Sequence, residues 1–151
     1  MGLIEVKQLG GTCVNVGCVP KKVMWNAATV GEMIHDAKHF GFTVPEVSFN
    51  WLDLKQARDD YVTRLNGIYG RMLGNSKVEV ISGLGSFSGP KSVSVNGEEY
   101  SADHILIAVG GKPSVPSLPG VEHCITSDGL NTDQAVVVLC KLTFSKYFTN
   151  K

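Results

Sequence analysis

Two cysteines lie five positions apart in residues 9–22, LGGTCVNVGCVPKK, where a Gly-Gly pair precedes them and a proline follows. A disulfide requires Cα atoms about 4.4–6.8 Å apart, but five residues of regular α-helix rise about 7.5 Å. Cys13 and Cys18 therefore cannot pair on an undistorted helix, so the chain must bend between them, which Gly17 permits. Pro20 suits the first turn of a helix, which predicts that Cys18 lies at or just before a helix start.

This helix start predicts a reactive environment for Cys18. Backbone N–H groups and the positive end of the helix dipole favour a thiolate there, and the cationic Lys21 and Lys22 follow one turn on. On these residues alone, four interpretations stay open: two free buried thiols, an inert bridge, half of a zinc site, or a catalytic redox pair. Zinc is the weakest, because Cys124 and Cys140 are far apart in sequence and no histidine lies at ligand spacing to either pair.

Composition narrows the class of protein. The 151 residues contain 14 Lys plus Arg and 14 Asp plus Glu, so no positive charge points to nucleic acid or to an acidic membrane surface. An apolar content of 43% is globular, and no apolar run approaches the length of a membrane span. We find no secretory signal, and four cysteines in a chain this long are no disulfide scaffold, so we expect a reducing compartment.

Periodicity and turn signals predict a chain of both helices and strands. Helices are expected at 19–38, stopped by Gly41, and at 51–73, with Asn50 as N-cap. Strands are predicted at 2–5, 78–81, 92–95, 100–109 and 135–139, with a hairpin signal at Asn96-Gly97. The apolar stripe expected on the second helix consists of Leu54, Ala57, Tyr61, Leu65, Ile68 and Met72.

The full string of residues 9–25, LGGTCVNVGCVPKKVMW, closely resembles the redox-active disulfide segment of the flavoprotein disulfide reductases, and most of all that of the glutathione reductases. Later segments share the resemblance: RDDYVTRLNGIY at 58–69, ADHILIAVGG at 102–111 and ITSDG at 125–129. The resemblance implies an α/β fold, namely a partial FAD-binding domain of the doubly wound, Rossmann-like kind, with an inserted helical pair and a β-meander.

The resemblance also implies roles for single residues. Cys13 is similar to the interchange thiol that attacks glutathione disulfide, and Cys18 to the flavin-side thiol of the same redox-active disulfide. Tyr69 matches a tyrosine of the glutathione site, although on the residues alone Tyr61 and Tyr69 are typical packing residues of a helix. The implied FAD contacts are Glu5 at the adenosine ribose, Lys21 beside flavin N5, and Thr12, Cys13 and Gly85.

Other parts of the family's machinery have no counterpart in these residues. No GxGxxG is present, so we expect the chain to lack the first βαβ unit of the FAD domain and the NADPH site. The His-Pro segment that supplies the acid/base across the family's homodimer is also missing. After Gly129 the pattern of the family ends, which predicts a partial FAD-binding domain at 3–129 and a divergent tail at 130–151.

The implied activity is NADPH-dependent reduction of glutathione disulfide by an FAD flavoprotein, as part of glutathione metabolism and cell redox homeostasis in the cytosol or the mitochondrion. We expect this chain to be a fragment that is inactive alone. Other interpretations stay open: a non-catalytic thiol- or FAD-binding module, a truncated partner that joins full-length reductase subunits, or a thioredoxin reductase of the large type. We expect no metal, nucleic acid or membrane as a partner.

Overall fold

A computed structural model describes residues 1–131, and the predicted strand at 135–139 lies outside them. The elements in chain order are β1 (Gly2–Glu5), α1 (Gly11–Asn15), α2 (Cys18–Asp36), α3 (Trp51–Asn75), β2 (Glu79–Ser82), β3 (Ser86–Gly89), β4 (Ser92–Val95) and β5 (Glu98–Ser101). Short 3-10 helices lie at Ala37–Phe40, Val121–His123 and Ser127–Asn131. No helix among these elements combines the length and the apolar character needed to cross a membrane.

The strands form two separate sheets. β1 and β2 pair in parallel, from Gly2 opposite Glu79 to Glu5 opposite Ser82. A parallel pair requires a crossover connection, which the three α-helices supply. β3, β4 and β5 form an antiparallel sheet in sequential order. The predicted α/β class is therefore confirmed, and both a helical pair and a β-meander are present.

Local signals placed the helix ends and the hairpin correctly. The 3-10 turn that follows α2 ends at Gly41, whose φ is 85°. The side chain of Asn50 accepts a backbone N–H at 3.0 Å and caps α3. Between β4 and β5, Asn96 and Gly97 have φ values of 54° and 87°. A tight hairpin of the primed kind requires this left-handed conformation at both central positions.

The predicted strand at 100–109 is wrong for most of its length. β5 stops at Ser101, and the N–H of Ala102 donates to the Lys91 carbonyl at 3.0 Å to close the ladder. A strand needs a hydrogen-bonding partner more than it needs β-propensity, and within residues 1–131 none pairs with the apolar run that follows. Conversely, β3 was not predicted because SFSG is poor in β-formers, but its pairing with β4 makes it a strand.

Few side chains are fully buried in the described part of the chain. Val14, Pro20 and Val95 are its buried apolar side chains, and Arg58 is its buried charged one. The apolar run beyond β5 is open to solvent, since Leu106 is 89% exposed and Val109 is 90% exposed. The described residues therefore present a large apolar surface.

The inward face of α3 differs from the predicted stripe. Three of the six predicted positions are part-buried, but Ala57, Tyr61 and Met72 are exposed, so that part of the prediction is wrong. The buried residue of α3 is Arg58, whose Nη1 lies 3.8 Å from Sδ of Met24 on α2. An apolar pattern cannot predict this face, because the residue at its centre carries a charge.

Candidate functional site

The two cysteines lie on either side of a sharp bend between α1 and α2. Cys13 is in α1, which ends at Asn15, and Cys18 is the first residue of α2. A Cβ on Gly17 would lie 2.8 Å from the Thr12 carbonyl oxygen and 3.3 Å from the Cys13 Cα. Only a residue without a side chain fits there. The predicted bend and the place of Cys18 at a helix start are both confirmed.

The bend places the two thiols on either side of Gly17, close enough for Cys18 to act on the pKa of Cys13. Both cysteines are exposed free thiols, and the hydrogen bond between their side chains is the main cause that raises the pKa of Cys13. The charge of Cys18 acts in the same direction, whereas that of Lys21 opposes it. Adjacent, accessible thiols can close to a disulfide or share one proton. Their exposure excludes the interpretation as two buried thiols, while the redox role remains a prediction.

Gly10 and Gly11 lead the chain into α1 over a buried side chain. Both have left-handed φ values, 101° and 59°. A Cβ on Gly10 would lie 2.6 Å from the Cβ of Val14, which is 5% exposed and anchors α1. Conformation and packing therefore both favour glycine at position 10, whereas only the left-handed φ favours it at position 11.

Asn66, which the sequence analysis did not identify, binds the turn at residues 9–15 from a distant part of the chain. Asn66, in α3, donates from Nδ2 to the Leu9 carbonyl at 2.6 Å and to Asn15 Oδ1 at 3.0 Å. Asn15 donates from its own Nδ2 to the carbonyls of Gly11 at 2.9 Å and Leu9 at 3.2 Å. Asparagine is unfavourable inside helices, and this conflict with local propensity is the signal that could have identified Asn66.

The predicted ribose ligand Glu5 ends β1, at the carboxyl edge of the parallel pair. Its Oε1 accepts the N–H of Lys7 at 2.9 Å, and its backbone carbonyl accepts the N–H of Gly83 at 3.0 Å. Gly85 packs beside the same strand, since a Cβ there would lie 3.3 Å from Cγ2 of Ile4. Ligands of open α/β sheets bind beyond the carboxyl ends of the strands, and the contact of Glu5 with a ribose remains a prediction.

Thr12 and Lys21 lie close to the thiols along the chain, in α1 and in the first turn of α2. Both are exposed, and the backbone N–H of Lys21 donates to the Gly17 carbonyl at 3.2 Å. The Lys21 charge acts on the pKa of Cys13, so these residues and the cysteines form one group at the bend. Glu5 and Gly85 form a second group at the end of β1, and residues 6–10 connect the two groups.

Tyr69, the predicted glutathione-site tyrosine, lies on α3 three residues beyond Asn66 and is 39% exposed. Residues three apart share a helix face. The next residue, Gly70, approaches the redox turn, because a Cβ there would lie 3.8 Å from Cδ1 of Leu9. Tyr69 therefore lies on the part of α3 that carries the turn. Tyr61 is 40% exposed, so neither tyrosine is a buried packing residue.

No group of three or more His, Cys, Asp or Glu side chains within residues 1–131 is arranged to hold a metal ion.

Comparisons with known proteins identify the family. The family described as pyridine nucleotide-disulphide oxidoreductase matches residues 2–139. A curated glutathione reductase of Yarrowia lipolytica is 48% identical over 143 residues, which cover 84% of this chain. The chain spans 30% of the length of that relative. With most of its length matched, the chain belongs to the pyridine nucleotide-disulphide oxidoreductase family.

Proposed function

We propose that residues 3–129 form the redox-disulfide segment of an NADPH-dependent glutathione-disulfide reductase. The observation that carries this proposal is the placement of Cys13 and Cys18 on either side of the sharp bend at Gly17, with Cys18 as the first residue of α2. The 48% identity to a glutathione reductase supports it. Because the chain spans 30% of that relative, the activity is proposed for an enzyme that contains this segment.

In the proposed reaction, the dithiol reduces glutathione disulfide. The Cys13 thiolate attacks one sulfur of the substrate, which forms a mixed disulfide and releases a glutathione thiolate that takes up a proton. The Cys18 thiolate then attacks Sγ of Cys13, which closes the Cys13–Cys18 disulfide and releases the second glutathione. The electron pair of the dithiol ends on the substrate, and the thiol protons end on the products. FAD, when bound, would supply the electron pair from NADPH that reopens the disulfide.

The other predicted site residues receive roles that fit their positions. Glu5 would accept the hydroxyls of the adenosine ribose, since its carboxylate ends a parallel strand. Thr12 would contact FAD at the bend, and the Lys21 ammonium would stabilise negative charge on the flavin. Gly85 would keep the backbone close at the edge where the ribose lies. Tyr69 would donate its hydroxyl to glutathione.

Finer features of the protein are part of the same proposal. They are a partial, Rossmann-like FAD-binding domain at 3–129 without its first βαβ unit, a divergent tail at 130–151, a homodimeric enzyme, and a place in the cytosol or the mitochondrion. The isolated chain is proposed to lack NADPH-dependent turnover, because its sequence contains no GxGxxG to bind that nucleotide.

A chimera tests the proposed function. Residues 3–129 would replace the matching segment of the Yarrowia lipolytica enzyme, and NADPH oxidation would be followed with glutathione disulfide and with oxidised thioredoxin. We expect turnover of glutathione disulfide that falls by a factor of roughly 1,000 or more in Cys13→Ser and in Cys18→Ser.

The outcomes of this assay are distinct. Turnover of oxidised thioredoxin, but not of glutathione disulfide, would favour a thioredoxin reductase. A folded chimera that contains flavin but reduces neither substrate would refute the enzyme, and the alternative of a non-catalytic binding module would stand.

A further inference from the structure

We propose that Asn66 is a positioning residue of the redox pair, and that it fixes from α3 the turn that presents Cys13 to Cys18. This inference rests on the proposed function, because it assigns a role within the same site. It begins from two bonds that cross the fold: Asn66 lies 57 residues from Leu9 and 51 residues from Asn15, and it donates to both.

The contacts form a closed ring of hydrogen bonds. The Leu9 carbonyl accepts from Nδ2 of Asn66 at 2.6 Å and from Nδ2 of Asn15 at 3.2 Å. A carbonyl only accepts, so the amide nitrogens of both side chains must face it. Asn66 then has a second N–H for Oδ1 of Asn15, at 3.0 Å. In this ring, each amide nitrogen donates and each oxygen accepts.

The ring holds the chain on both sides of Cys13. Leu9 lies before the Gly-Gly pair, and Asn15 is the last residue of α1. The glycines between them have left-handed φ and add little stiffness of their own. Val14, buried under α1, is the apolar anchor of the turn, and Asn66 is its polar anchor.

The same helix holds the segment that carries the other thiol. Arg58 lies on α3 with 1% exposure, and its Nη1 is 3.8 Å from Sδ of Met24 on α2, the helix that starts at Cys18. Arg58 and Asn66 are about 12 Å apart along the axis of α3, given the rise per residue of a helix. A single helix, α3, thus contacts the segments that carry the two thiols, on either side of the bend at Gly17.

This arrangement bears on the chemistry of disulfide closure. Intramolecular attack depends on how often the sulfurs meet in the right orientation, so a preorganised pair closes more readily than a loose one. Loss of the bonds of Asn66 would loosen the turn and lower the equilibrium constant for closure. Side-chain hydrogen bonds of this kind account for about a tenfold change in such a constant.

The test measures closure directly in the full chain. The balanced reaction is dithiol plus glutathione disulfide, which gives the Cys13–Cys18 disulfide plus two glutathione thiols. A Cys124→Ser, Cys140→Ser background leaves only this pair to react. The oxidised fraction would be measured by alkylation and mass spectrometry across buffers of varied glutathione ratio.

We expect Asn66→Ala to lower the equilibrium constant about tenfold, or about 30 mV for this couple. Asn75→Ala, the same side-chain loss at the end of α3, is the matched control and is expected to keep the wild-type constant. Asn15→Ala removes the partner of Asn66, so the double variant is expected to change the constant by less than the sum of the single changes.

Folding is measured in parallel by circular dichroism and urea unfolding. If Asn66→Ala fails to fold, two other variants provide the test. Asn66→Asp keeps the shape of the side chain but sets a carboxylate oxygen against the Leu9 carbonyl. Asn15→Ala removes the partner of Asn66. A lower urea midpoint with an unchanged redox constant would show a structural role only and overturn the inference, and the proposed function would stand. A wild-type chain whose cysteines do not close at any glutathione ratio would overturn both.

Discussion

At the scale of single residues, the thiol of Cys18 acts on the pKa of its neighbour Cys13. The hydrogen bond between the side chains raises the pKa of Cys13 above its ordinary value, so less of its thiolate is present near pH 8. Cys18→Ala removes this bond. We therefore expect faster alkylation of Cys13 by iodoacetamide at pH 8, and a rate profile that is displaced to lower pH.

The control for this experiment is Cys124 in the same sample, which is exposed and lies outside the bend. Its alkylation rate is expected to stay the same in the variant. Slower alkylation of Cys13 in Cys18→Ala would contradict the assignment of the hydrogen bond as the cause.

Gly17 permits a second prediction at this scale. Gly17→Ala would set a Cβ 2.8 Å from the Thr12 carbonyl oxygen, so the start of α2 must move away from α1. We expect the free energy of unfolding to fall by about 1–3 kcal/mol and the fraction of Cys13–Cys18 disulfide to fall with it. Urea unfolding and alkylation of the oxidised chain measure the two quantities.

Gly67→Ala is the matched control for that substitution. Its Cβ would lie 3.5 Å from the nearest atom, Nη1 of Arg71, inside α3. Alanine is the better helix former, so this variant is expected to gain about 0.5–1 kcal/mol and to keep the disulfide. A loss of disulfide in both variants would contradict the close approach at Gly17 as the cause.

The residue scale also shows where sequence reasoning succeeds. The bend at Gly17 and the helix start at Cys18 were predicted because geometry and a nearby Pro20 determine them locally. Asn66 was not predicted, because its role depends on a partner 57 residues away that no local pattern identifies. The bend itself was therefore predicted, whereas the side chain of α3 that donates hydrogen bonds to it was missed.

At the scale of elements, the same distinction separates helices from strands. α3 was predicted from its N-cap Asn50 to within two residues of its end, and α2 from Pro20 to the Gly41 stop, since caps and breakers act within a few residues. The run at 100–109 has strong β-propensity, but only the residues that pair with β4 form a strand. Strand formation is a property of pairs, and the sequence of one partner does not determine it.

The contacts of Arg58 with its neighbour Asp59 predict how the stability of the fold depends on pH. Asp59 accepts hydrogen bonds from Arg58 at 2.7 Å and from Lys55 at 3.1 Å. Desolvation opposes ionisation, but these bonds outweigh it and hold the pKa of Asp59 below its ordinary value of 3.8. A lowered pKa in the folded state stabilises the fold above the unfolded value, and this stabilisation disappears as the pH falls through the folded value.

Asp59→Asn is therefore expected to lower the free energy of unfolding at pH 7 and to match the wild type at the acid end of the range. The carboxylate is 40% exposed, so solvent screening limits the difference at pH 7 to about 1 kcal/mol or less. Urea unfolding from pH 7 down to the acid transition measures it, with Asp60→Asn as control. A difference that does not shrink on acidification would contradict the role of Asp59 ionisation.

At the scale of the whole molecule, exposed apolar surface dominates the expected behaviour of the chain in solution. Leu106 and Val109 project from a run that makes no strand pairing within residues 1–131. Apolar patches of this kind associate. We expect the purified chain to elute from size-exclusion chromatography ahead of a monomer of 16.2 kDa.

Leu106→Lys with Val109→Lys is expected to move the chain toward the monomer position. Ser114→Lys with Ser117→Lys adds the same charge at exposed polar positions and serves as the control, since added charge alone improves solubility. A wild-type chain that elutes as a monomer, or equal shifts in both variants, would contradict the assignment of association to this run.

The close approach at Gly17 also has a consequence for the gene. Every glycine codon begins with a pair of guanines, and a missense change at either base introduces an amino acid that carries a Cβ. At this position that atom would meet the Thr12 carbonyl oxygen at 2.8 Å. No missense change of a single nucleotide therefore preserves the bend, and among related alleles this codon is expected to vary only by silent substitution.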